Sequence, residues 1–143
     1  MVKLIVGVKG TGKTKMLIDM VNNTVEKSAG NVVFIEKGDK LKFDVKYQAR
    51  LINTSDYDID NNMDALYGFV CGIYAANYDI THIFIDSALK ICGGRAETFV
   101  QYADAFTKFI ESIAALSDKN NFECIITSSI DPIQLPEELK KFL

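Results

Sequence analysis

Residues 2–14 read Val2-Lys3-Leu4-Ile5-Val6-Gly7-Val8-Lys9-Gly10-Thr11-Gly12-Lys13-Thr14. A short apolar run, the pattern of a buried strand, stops at a glycine, and a helical pattern begins at Lys13. Gly7 to Thr14 matches G-x-x-x-x-G-K-[ST], the spacing of a phosphate-binding loop. Each fixed position has a chemical reason. Glycines let the backbone wrap closely around an anion, so that consecutive N–H groups point at it. Gly7, Lys9, Gly10, Thr11, Gly12, Lys13, Thr14 and Lys15 are therefore the candidate nucleotide-binding residues. Lys13 brings a cation to the β and γ phosphates, and the Thr14 hydroxyl is a candidate Mg²⁺ ligand. The following helix turns its positive end toward the phosphates.

Working outward, strand and helix patterns alternate. Lys13 to about Lys27 reads as a helix with Met16, Leu17, Met20, Val21, Thr24 and Val25 along one stripe. Asn31–Glu36 reads as a strand, and Ala49–Asn53 as a short edge strand after a stretch without clear periodicity. A helix is expected over about 62–77, a strand over Thr81–Asp86, a long helix over about 95–116 and a strand over Phe122–Ser128. A short closing helix follows over Pro136–Phe142. This alternation predicts an α/β protein, a mostly parallel sheet with helices on both faces. With no clear strand after Ser129, the first strand is expected near a sheet edge, covered by the C-terminal residues or by a partner.

Composition narrows the classes. The chain has 143 residues, 48% of them hydrophobic, enough for one domain with a substantial core. No run has the length of a membrane span, and a strand beginning at Val2 leaves no signal-peptide pattern, so a cytoplasmic protein is expected. Cys71, Cys92 and Cys124 are far apart and sit in or beside apolar runs, which reads as reduced packing residues. One histidine, His82, lies within a strand pattern, so a zinc site is not expected. Net charge is −3 with no standout Lys/Arg cluster, and a nucleic-acid partner is not expected from the whole-chain balance.

Two carboxylates complete the candidate site. Ile83-Phe84-Ile85-Asp86 is an apolar strand ending in an acid, the pattern that holds the water shell of a phosphate-bound Mg²⁺; Asp86 joins Thr14 as a metal residue. Glu36 ends the strand after the loop helix, 23 residues beyond Lys13. Carboxyl ends of parallel strands line a ligand crevice, so Glu36 is the candidate to activate a water. Arg95, after Gly93-Gly94, is a candidate arginine finger within the chain or across a subunit interface. Tyr47 or Tyr57 could stack on a base. The acidic stretch Asp56 to Asp64 imitates half a calcium loop, but Asn61 and Tyr67 stand where glycine and glutamate are required; it reads as a solvated turn whose acids cap the next helix.

Gly7–Thr14, Asp86 and the polar strand end Thr127-Ser128-Ser129 together resemble the P-loop NTPases, the RecA-like ATPase branch above all. The resemblance implies a minimal three-layer P-loop fold, ATP and Mg²⁺ as ligands, and Lys13, Glu36, Asp86 and Arg95 as catalytic residues. It also implies a polar sensor at Thr127 or Ser128. The chain is similar as well to small stand-alone bacterial P-loop proteins sometimes labelled twitching-motility ATPases. Full-length pilus-retraction ATPases carry an extra N-terminal domain and acidic and histidine-rich motifs; this sequence contains neither. No N-K-x-D motif is present, which favours ATP over GTP. The expected function is Mg²⁺-dependent ATP binding and hydrolysis, with a homo-oligomer or protein partner receiving the output. A nucleotide-dependent switch with little turnover, or a small-molecule phosphotransferase, is the alternative.

Overall fold

Five parallel strands order as β1-β5-β4-β2-β3 in one sheet: β1 Val2–Gly7, β2 Asn31–Glu36, β3 Ala49–Asn53, β4 Ile80–Ile85 and β5 Glu123–Ser129. The computed structural model describes all 143 residues. Parallel neighbours need long crossovers; a helix-free connection over residues 37–48 joins β2 to β3, and helices supply the others: α1 Lys13–Lys27, α2 Met63–Ala76, α3 Ala88–Ile91 and α4 Phe99–Asn120. The α/β class and the edge position of β1 agree with the sequence. The sheet is parallel throughout.

The two faces are unequal. Under α2, α3 and α4 lie 27 buried residues, among them Leu66, Val70, Phe106 and Ile110, whereas eight lie under α1. On that smaller side Leu17 and Val21 are the helix's buried contributions to Val32, Phe34, Phe84 and Ile125. Met16, expected in the stripe, is exposed instead. It sits in the first turn, where α1 rises from the loop. The long helix begins at Phe99 rather than Arg95, because Ala96–Thr98 forms a tighter turn, and it runs on to Asn120. Its spacing predicts Phe99, Ala103, Phe106, Ile110 and Ile113 toward the core; all are buried but Ala103, which is half-buried.

Other differences are local. Helix α3 was not expected; four residues carry too little periodicity to register. The chain enters it through Ser87, whose φ of 56° turns the backbone sharply after β4. Asn62, not an acid, caps α2, its Oδ1 accepting the Ala65 N–H at 3.0 Å. The closing segment Glu137–Phe142 is 3₁₀ and not α. With the turns before it, that segment buries Leu135 and Leu139 in the larger core, next to β1. The C-terminal residues thus cover the edge strand on one face. The three cysteines are unpaired. Burial pushes the Cys92 and Cys124 thiols up to about 12, so neither is a nucleophile at neutral pH.

Since only α1 and the β2–β3 connection, through Leu41 and Val45, cover this face, Leu17→Ala leaves a cavity that no second helix can relax into. The expected loss is about 2–5 kcal/mol, seen as a lower urea midpoint with an unchanged slope.

Candidate functional site

A strand's side chains alternate between faces, so the partition of the core fixes where each strand end points. Val32 and Phe34 of β2 belong to the α1 side, and Val33 and Ile35 to the other. Glu36, two beyond Phe34, therefore faces the α1 side. The same count from Phe84 brings Asp86 to that side, and from Ile125 it brings Thr127. All three stand at carboxyl ends of parallel strands, beside the start of α1. They form one polar cluster under the glycine-rich loop.

The loop itself occupies residues 8–12 between β1 and α1. Gly10 and Gly12 have φ of 85° and 84°, in the left-handed region that favours glycine. At Gly7 the constraint is space, since a Cβ would lie 2.8 Å from Thr11 Oγ1. Thr11 Oγ1 donates to the Val8 carbonyl at 2.9 Å, and Lys13 Nζ donates to the same oxygen at 2.9 Å. The first turn of α1 has no side-chain cap, which leaves its N–H groups free for an anion. Partial burial lowers the Lys13 pKa, and the nearby Asp86 charge opposes that shift.

Asp86 ties the cluster together. Thr14 Oγ1 lies 3.2 Å from each of its carboxylate oxygens. Thr127 Oγ1 donates to Asp86 Oδ1 at 2.8 Å while accepting the Ser87 N–H at 2.8 Å. One hydroxyl thus orients the carboxylate and satisfies the amide of the strained Ser87 backbone. Glu36 sits one position beyond the paired residues Ile35 and Ile85, across from Asp86, whose N–H donates to the Ile35 carbonyl at 2.9 Å. Adjacent strands are about 4.8 Å apart, so two acids share a small volume. Glu36 is 4% exposed. Burial raises its pKa, the Leu41 N–H at 3.3 Å opposes that, and the Asp86 and Asp39 charges raise it further.

The residues suit a phosphate-bound Mg²⁺. The cluster pairs a hydroxyl with a carboxylate next to an anion cradle, and Mg²⁺ keeps several waters and few protein ligands. Nowhere do three or more His, Cys, Asp or Glu side chains gather as a self-sufficient metal cage. Two other clefts, of about 580 and 560 Å³, contain no residue of the cluster.

Several expected residues lie elsewhere. Ser128 is a correction: it points to the opposite face, fully buried, and its hydroxyl accepts the Leu89 N–H at 3.3 Å to seat α3. Thr127 is the residue of that pair which reaches the site, a choice set by the two-residue period. Lys15 runs along the outside of α1 and pairs with Asp19 at 3.3 Å, so its backbone N–H is what faces the loop. Lys9 is exposed on the loop. Arg95 is exposed beyond α3, forms no ion pair and makes no hydrogen bond to Glu36 or Asp86. Tyr57 packs on Phe69 of α2 with ring centroids 5.6 Å apart, and Tyr47 lies on the β2–β3 connection. Comparison with known families finds no matching family model, and comparison with curated proteins finds no match.

Thr127→Val keeps the shape but strips Ser87 N–H of its acceptor and Asp86 of a donor. The expected loss is about 1–3 kcal/mol in a urea titration. Glu36 adds a pH dependence. Its folded pKa is raised, so the native state holds a proton that the unfolded chain releases, and stability falls as pH rises above the ordinary glutamate value of about 4.3. Glu36→Gln removes that penalty. Thermal unfolding across pH should find the variant more stable at pH 7, with the gap closing below about pH 4.

Proposed function

We propose that this chain is a minimal P-loop ATPase, binding Mg²⁺·ATP at Gly7–Thr14 and hydrolysing it. The observation that carries the reading is the pairing of that loop with Asp86 through the Thr14 hydroxyl. Loop N–H groups and the α1 N-terminus would surround the phosphates. Lys13 would exchange the Val8 carbonyl for phosphate oxygens, adding positive charge where negative charge accumulates in phosphoryl transfer. Thr14 and Asp86 would hold Mg²⁺. A Mg²⁺ held by those two residues would supply Lewis-acid neutralisation of developing charge.

Glu36 is the one further acid at the strand ends facing the loop, and its raised proton affinity suits a general base. It would orient the attacking water and take its proton. Thr127 would keep Asp86 aimed while that happens. Arg95, exposed and without an ion pair here, would contribute to the reaction as an arginine finger from its own chain or from a second subunit. No helix is long and apolar enough to cross a membrane, and an ATP-dependent activity with unpaired cysteines suits the cytoplasm. The switch reading has one observation in its favour: the Leu41 N–H holds Glu36 toward the β2–β3 connection.

The test is phosphate release from ATP with Mg²⁺, alongside nucleotide binding by calorimetry. Wild type should turn over, and Lys13→Ala should lose both binding and turnover. Glu36→Gln should keep binding while turnover falls roughly 10²–10⁴-fold. Binding without turnover in wild type supports the switch. Absence of both ends the nucleotide reading.

A further inference from the structure

The connection between β2 and β3 carries a surface the nucleotide site does not use. Residues 37–50 hold Lys37, Lys40, Lys42, Lys46 and Arg50 against Asp39 and Asp44, a local net charge of +3. The whole chain is −3, so the remaining residues carry −6. Phe43 and Tyr47 stand in the same segment, 89% and 91% exposed.

Their exposure is not the looseness of an unpacked loop. Leu41 and Val45 turn inward, Val45 is buried, and both pack with Leu17 and Val21 of α1. Asn22 of α1 clamps the backbone, donating to the Asp44 carbonyl at 2.8 Å and accepting the Lys46 N–H at 2.9 Å. Lys46 also pairs with Glu26. A helical turn closes with Val45 N–H on the Leu41 carbonyl at 3.0 Å. Leu41 and Val45 then share its inner side, while Phe43 projects outward. Lys42 Nζ stands 5.1 Å from the Phe43 ring centroid. Two rings on an anchored backbone, interleaved with lysines, present flat apolar faces next to positive charge.

We infer that this surface binds single-stranded nucleic acid, bases stacking on Phe43 and Tyr47 and phosphates meeting Lys40 and Lys42. Stacking on exposed rings within a positive track is the chemistry of sequence-tolerant strand binding. An acidic peptide supplies the charge but no planar partner for the rings. An anionic membrane is broad, and would also meet acids bordering the patch, such as Glu26 beside Lys46; a single strand can follow the patch alone. Whole-chain charge predicted no nucleic-acid partner; the inference departs from that expectation on local charge and exposure.

The test is fluorescence anisotropy of a labelled oligo(dT) of about twenty nucleotides, titrated without ATP, so its result is separable from that of the phosphate-release assay. Wild type should bind at low salt. Phe43→Ala/Tyr47→Ala should weaken binding roughly tenfold or more with unchanged thermal unfolding, because both rings are outside the core. Lys40→Ala and Lys42→Ala should each flatten the log–log salt slope by about 0.7. No binding by wild type, or binding indifferent to loss of both rings, overturns the inference. So does equal affinity for a duplex of the same length, or binding to phosphatidylserine vesicles without binding to the oligonucleotide.

Discussion

Parallel pairing is the constraint from which the rest of this molecule follows. When every strand runs the same way, every carboxyl end emerges at the same rim, and each return must cross a face as a helix or a long connection. The rim collects Gly7, Glu36, Asp86 and Thr127 from four strands without any of them being near another in sequence. Alternation along each strand then selects which end residue faces α1. Two geometric rules, one direction and one period, assemble the cluster before any polar contact is considered.

Electrostatics explains how two acids are tolerated there. Asp86 is compensated: hydroxyls from Thr14 and Thr127 reach its oxygens, and the Lys13 ammonium lies close enough to be affected by its charge. Glu36 is not compensated to the same degree, having one main-chain N–H at 3.3 Å and a like charge on the next strand. A buried carboxylate with so few donors lowers stability unless an added positive charge relieves it. The free protein is thus stabilised less than it would be with glutamine at 36. Such a trade is expected where an acid is kept for chemistry rather than for packing.

The legible and illegible parts of the sequence divide along physical lines. The loop was legible because close anion approach demands glycine at fixed spacing, and the strands because buried parallel strands are runs of β-branched and aromatic residues. Asp86 and Glu36 were legible as acids closing such runs. What escaped is what depends on non-local packing. The choice between Thr127 and Ser128 needs the facing helix of each strand side. Ser87 and α3 form because Thr127 and Ser128, some forty residues later, accept the N–H groups of Ser87 and Leu89. The Leu41 N–H on Glu36 has no signature at all, since any residue but proline supplies that donor.

The stretch with the weakest periodicity, between β2 and β3, is also where the exposed rings lie, and the two facts share a cause. Periodicity reports residues recruited to a core. Between Glu36 and Ala49 only Leu41 and Val45 are so recruited, four apart, and Phe43 and Tyr47 break the pattern by facing water. The two rings stand at about nine-tenths exposure on a backbone clamped by Asn22. Leu41 stands at the junction of the polar cluster and this surface. Its side chain packs under α1, and its N–H binds the Glu36 carboxylate. Losing the Leu41 N–H contact would remove a donor that holds the Glu36 pKa down, and so raise its proton affinity further.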